Sequence, residues 1–157
     1  MILSLSKNGF LQGVLLLVLV LIDQISKYYV LTKIGLGNNL VICKDFLRIY
    51  VVQNTGGAFS LFDQFPVFFK VFGIFNVLIF LYLVFNQSLK LNNFVRVGCT
   101  FILSGTFGNL IDRFYRNGVV DFIDLMFVNF AVFNIADIFI DMGVVLIIIG
   151  WFVQRDK

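Results

Sequence analysis

The stretch PVFFKVFGIFNVLIFLYLVF, residues 66–85, holds one charged side chain, Lys70, among aromatic and aliphatic residues. As an α-helix rising ~1.5 Å per residue it covers ~30 Å, the thickness of a bilayer's hydrocarbon layer. It opens on Pro66, at the helix start where a missing N–H is tolerated. Lys70 follows one turn in and can carry its amine outward on an apolar stem. Three further runs behave alike. Residues 10–29 begin FLQGVLLLVLVLI. Residues 94–111 carry Gly98, Ser104, Gly105 and Gly108, and the Ser104–Gly108 spacing lets a neighbouring helix come close. Residues 133–153 close near Trp151, with Arg155 and Lys157 as anchors beyond. The first run reads as a retained span, because DQISKYY follows it where a cleaved leader would show a small-x-small site.

Composition agrees. Of 157 residues, 60% are hydrophobic and 13% charged, and mean hydropathy is +0.97. Soluble domains hold about a quarter charged residues, so lipid is the solvent here. The expected fold is an all-α integral membrane protein, one domain over 1–157, with four transmembrane helices and a small extramembrane β element after the first. That β element falls in an insertion over about 36–62, where KDFLRIYVV alternates: Leu47, Ile49 and Val51 on one face, Arg48 and Tyr50 on the other. NTGG then supplies a turn. The segment from Val119 to Met126 is too short to cross a membrane and is expected to lie along or dip into the interface.

The ionisable inventory is narrow. The chain has no His and no Glu, so all nine acids are Asp. A Ser-His-Asp arrangement is excluded. Without imidazoles and with two cysteines, a zinc site is not expected, and neither is any other metal or cofactor. Cys43, in a polar connection, and Cys99, in an apolar run, are expected to be free thiols. The net charge of +3 suits anionic lipid, not nucleic acid.

Carboxylates are nonetheless set among apolar residues in VVDFIDLMFVNFAVFNIADIFID, residues 119–141. Such groups are expensive to hold unless paired or neutralised. Asp23 and Lys27 stand four apart in the order that favours a helical ion pair, which reads as a structural clamp or as part of a site. Asn109 and Arg113 share a helix face, with Asp112 one residue off it. Arg113 also suits a helix end, where the dipole favours a cation. Asn134 and Asp137 share a face three apart, and Asp137 equally fits a carboxylate at a helix amino terminus. Asp141 follows one turn deeper. Two ionised aspartates four apart repel, so one is protonated or separately paired. Asp121 is placed to fold back toward Asp137, which spacing permits without establishing.

Four spans put both termini on one side. Lys7, Lys90, Arg96, Arg155 and Lys157 mark that side; Lys27, Lys33, Lys44, Arg48, Lys70, Arg113 and Arg116 mark the other. This count leaves orientation open. The acids divide more sharply: only Asp156 falls with the termini. A proton- or ion-coupled carrier is the main alternative, but it calls for carboxylates strung across the membrane's depth. A non-catalytic assembly subunit, using Asp–Arg pairs as glue, is a second.

In order, DQISK (23–27), NTGGAFS (54–60), GNLIDR (108–113), VVDFID (119–124) and FNIAD (133–137) closely resemble the motifs of the bacterial lipoprotein signal peptidases, the type II signal peptidases. The resemblance spans essentially the whole chain. It implies an aspartic endopeptidase of the bacterial cytoplasmic membrane that removes the signal peptide from prolipoproteins, cutting just before a diacylglyceryl-modified cysteine. It implies Asp121 and Asp137 as the catalytic pair and Asn54, Asn109, Arg113 and Asn134 as residues lining the site, with Asp23 and Lys27 in support. It implies termini in the cytoplasm and a site opening toward the outer face. The partners expected are a lipid-modified prolipoprotein and membrane lipid, with the chain acting as a monomer. Two positions depart from the family's pattern. Gly57 replaces a more usual Ala or Val, and Asp141 replaces an apolar residue or small alcohol. Asp141 either holds a proton on the pair to higher pH or pairs with a base such as Lys27.

Overall fold

A computed structural model of the chain describes residues 7–56 and 66–155. Gly57, the end of the NTGGAFS motif, Asp156 and Lys157 lie outside the described residues. Four helices appear: α1 (Lys7–Lys33), α2 (Pro66–Phe85), α3 (Asn93–Tyr115) and α4 (Ile135–Arg155). Each is long and apolar enough to cross a membrane. Three strands complete the described chain: β1 (Asn39–Cys43), β2 (Leu47–Asn54) and β3 (Val119–Leu125).

The helices are not equivalent. In the most apolar window of α3, 61% of residues are buried, against 17%, 11% and 22% in α1, α2 and α4. α3 is therefore the inner helix, and the others turn Leu17, Phe72, Phe75 and Val145 outward. Lipid tails are as apolar as these side chains, so helices in a bilayer associate by close packing and polar contacts, without a hydrophobic drive. Glycines supply the closeness. A Cβ on Gly98 would lie 2.7 Å from the carbonyl oxygen of Gly143, and one on Gly143 would lie 2.6 Å from that of Gly98. The α3 and α4 backbones thus touch. The expected Ser104–Gly108 pair divides its work. Ser104 turns its hydroxyl back to the Phe101 carbonyl at 2.8 Å, while Gly108 admits the Asp23 side chain of α1.

Both ends of α3 are tied down. Asn92 caps its start, accepting the Val95 N–H at 2.9 Å and donating to the Gly150 carbonyl at 2.7 Å. Nearby, the buried Arg96 donates to the carbonyls of Val84 at 2.7 Å and Leu89 at 2.8 Å, satisfying acceptors around the end of α2. Lys70 of α2 lies over the Phe114 ring at 5.3 Å. Cys43 is exposed and Cys99 buried, both free.

The strands form one antiparallel sheet in the order β1-β2-β3. β2 begins within the alternating KDFLRIYVV region and runs on to Asn54. Residues 119–125 of the segment expected at the interface form β3, a strand not foreseen there, which pairs with β2, with Arg48 opposite Asp124 and Val52 opposite Asp121. Val119, Val120, Asp121 and Phe122 are all buried in succession, so β3 lacks the alternation that marks a half-exposed strand. Val51, Val120 and Phe122 pack with Val30, anchoring the sheet to the end of α1. In this way the sheet carries Asp121 back over the start of α4.

Candidate active site

Asn134, just ahead of α4, and Asp137, its third residue, cap that helix reciprocally. The Asn134 Oδ1 accepts the Asp137 N–H at 3.1 Å, and Asp137 Oδ2 accepts the Asn134 N–H at 3.0 Å. This is the logic of a capping box, with Asn and Asp in the two roles. It fixes both side chains by local backbone chemistry before any long-range contact forms. The remaining oxygen, Asp137 Oδ1, accepts from Asn109 Nδ2 at 2.8 Å.

Asp121 reaches the same place from β3. Its Oδ1 accepts from Asn134 Nδ2 at 2.6 Å and its Oδ2 from Asn54 Nδ2 at 3.0 Å. One asparagine therefore holds both aspartates. Burial first, and then the charge of Asp137, push the Asp121 carboxyl up to about 6, against the opposing pull of the Asn54 and Asn134 donors and of Lys27. The two carboxyl groups thus lie close enough for the charge of one to affect the other.

Behind them lies a wholly buried ammonium. Lys27 Nζ contacts Asp23 Oδ2 at 3.0 Å, Asp112 Oδ2 at 2.9 Å and Asn109 Oδ1 at 2.9 Å. An ammonium has donors only, so Asn109 must turn its carbonyl to Lys27 and its amide NH₂ to Asp137. The same Asn109 oxygen also accepts from Asn134 Nδ2 at 3.2 Å. Lys27 thereby sets the direction of the Asn109 amide and, through it, that of Asn134.

Asp112, set aside in the sequence because it lay off the Asn109 face, is the central acceptor of this cluster. Its Oδ2 also takes the Val120 N–H at 3.1 Å, joining α3 to β3 next to Asp121. Arg116 pairs with Asp112 Oδ1 and donates to Gln24 Oε1 at 3.2 Å. Asp112, Arg116 and Gln24 were missed, although the Asp112–Arg116 spacing of four in acid-before-base order was a usable signal. Lys27 does not pair with Asp141, which corrects one of the two readings of that residue.

Arg113 lies beside the pair without bonding it. It donates to the carbonyls of Asn109 at 3.3 Å and Gly56 at 3.4 Å, and its guanidinium lies 5.4 Å over the Phe69 ring. Its buried Nε has no partner among the described residues. Arg113, Asn54, Asn109, Asp121, Asp137 and Asp141 line one pocket of about 360 Å³. The same pocket is also lined by apolar side chains, Leu125, Val128, Phe130, Val132 and Phe133. The pocket thus combines a carboxylate pair, spare donors and a surface that accepts hydrocarbon.

Four membrane-length helices, with a buried Asp121 and a half-buried Asp137 held where α3 and α4 meet the sheet, define a multi-pass membrane protein built around a carboxylate pair. The family model "Signal peptidase (SPase) II" matches residues 15–153. A lipoprotein signal peptidase of Bartonella henselae is 42% identical over 144 residues, covering 89% of this chain and 86% of that protein. One of Nostoc is 39% identical over 131 residues, covering 82% and 81%. A solved bacterial membrane enzyme, determined in meso at 2.3 Å, superposes with a TM-score of 0.82 at 30% identity, over 92% of this chain and 88% of that one. The chain belongs to the signal peptidase II family.

Proposed function

We propose that Asp121 and Asp137 are the catalytic pair with which this chain cleaves its substrate. Members of the family remove signal peptides from prolipoproteins, and this chain is such a peptidase. The observation that carries the assignment is the single residue Asn134, which donates its side-chain amide to the Asp121 carboxylate and its backbone N–H to the Asp137 carboxylate, beside a pocket lined by both polar and apolar residues.

The chemistry follows from the pair. Asp137 lies at the amino end of α4, where negative charge is favoured, and acts as base. Asp121 carries the shared proton. Asp137 takes a proton from water, and the resulting hydroxyl adds to the scissile carbonyl carbon as Asp121 gives its proton to the carbonyl oxygen. When the tetrahedral diol collapses, its hydroxyl proton returns to Asp121 and the proton on Asp137 passes to the departing amine. The pair is restored, and no covalent intermediate forms. Arg113, through its unpartnered Nε, and the asparagine amides hold substrate carbonyls and the developing negative charge. Asp23 and Lys27 hold Asn109 in place from behind.

The apolar lining accepts the lipid of a diacylglyceryl-modified cysteine, and the bond cut is the one just before it. Both termini face the cytoplasm, and the sheet and its pocket lie at the outer face of the bacterial cytoplasmic membrane. The test is to purify the protein, supply a prolipoprotein with and without its lipid, and determine the amino terminus of the product. Release of a product beginning at the lipidated cysteine, with the unmodified precursor cut poorly, is expected. Equal cleavage of both precursors overturns the assignment of the apolar lining.

A further inference from the structure

Asp141 has no part in the chemistry above, yet it lines the same pocket as Asp121 and Asp137. It is exposed, and among the described residues no side chain is bonded to it. Lys27, the nearest buried cation of the site, spends its contacts on Asp23, Asp112 and Asn109. An acceptor on the wall of a membrane cleft without a donor is a liability unless something that enters the cleft supplies one. It is equally unsuited to touch an acyl chain, so the lipid is better received by the apolar lining residues Leu125, Val128 and Phe133.

Position along α4 identifies what does reach it. Asp141 stands one turn beyond Asp137, away from the sheet, an axial distance of ~6 Å. An apolar signal segment is held in lipid beside the spans, which on the proposed function directs the mature chain out on the side of the sheet. A substrate extended through the cleft advances ~3.3 Å per residue, so Asp141 meets the residue two positions ahead of the scissile bond. We propose that Asp141 is a specificity-determining residue that selects prolipoproteins carrying a side-chain hydrogen-bond donor at that position. The inference rests on the assignment of Asp121 and Asp137 as the cleaving pair.

Two lipid-modified prolipoproteins, identical except for serine or alanine two residues before the scissile bond, test it. With the wild-type protein, kcat/KM for the serine substrate is expected to exceed that for alanine about tenfold, the scale of one hydrogen bond to a charged group. Asp141→Leu brings the ratio to about one. Asp141→Asn, which keeps an acceptor oxygen, retains a ratio between the two. A wild-type ratio of one, or an undiminished ratio in Asp141→Leu, overturns the proposal while leaving the cleaving pair standing. If the wild-type protein cuts neither substrate, the assignment of the pair fails and the proposal fails with it.

Discussion

Asn134 donates to Asp121 at 2.6 Å while its own side-chain oxygen accepts the Asp137 N–H at 3.1 Å. One amide therefore aligns a strand carboxylate with a helix carboxylate and also starts α4. Asn134→Ala is expected to lower kcat about 100-fold, because small misplacements of reacting groups have effects of that size. It also loses the helix cap, worth ~1 kcal/mol. Asn134→Ser separates the two roles, since serine caps a helix about as well as asparagine but lacks the amide NH₂ that reaches Asp121. It should unfold in detergent close to the wild-type temperature while cleaving no faster than the alanine variant.

The pH dependence of kcat/KM follows from Asp121, whose carboxyl is pushed up to about 6. The pair works with one proton, so activity should fall as pH rises through that value and the proton leaves. The Asn54 donor favours the ionised form and so opposes the upward shift. Removing it raises the proton affinity of Asp121. In Asn54→Ala the alkaline limb should therefore move to higher pH, as pH–rate profiles of kcat/KM on one substrate will show.

Lys27 neutralises two wholly buried aspartates, Asp23 and Asp112. Taking one partner from such a cluster strands the others and costs ~3–5 kcal/mol. Lys27→Met should show that loss in thermal unfolding, together with reduced cleavage, because Asn109 is then free to turn its carbonyl toward Asp137. Adding Asp23→Asn removes one stranded charge. The double variant should regain part of the stability but not the activity, a non-additivity that a double-mutant cycle measures.

Gly143→Ala addresses the bundle and not the chemistry. The added methyl carbon would meet the Gly98 carbonyl oxygen at 2.6 Å, so α3 and α4 must part. A loss of ~1–3 kcal/mol is expected, the usual scale for overpacking. It should appear as a lower unfolding temperature in micelles.

Much of this was legible before any coordinates. The four helices are long apolar runs whose one-dimensional pattern needs no partner to be recognised, and β2 betrays itself by alternation. β3 did not, because a strand covered on both faces shows no period of two, and VVDFID reads as an apolar run interrupted by acids. The site divides in the same way. Asn134 with Asp137 and Asp23 with Lys27 are helical neighbours at readable spacings. The approach of Asp121 to Asn134, and of Asp112 to Lys27, depends on how the sheet folds over the bundle and on which face of α3 meets α1. Spacing along the chain carries neither. Arg113 shows the limit from the other side: its spacing from Asn109 was right, but its guanidinium is held by carbonyls and an aromatic ring, apart from the acids.

The most direct measurement compares purified wild-type protein with Asp121→Asn and Asp137→Asn, each supplied with a lipid-modified prolipoprotein at one pH. Asparagine preserves size and one acceptor oxygen but can neither give nor take the proton. We expect each variant to bind the substrate and to cleave it at least ~1,000-fold more slowly than wild type, near the upper range of general acid–base effects. Cleavage within tenfold of wild type by either variant, in folded protein, would contradict the role of these two side chains.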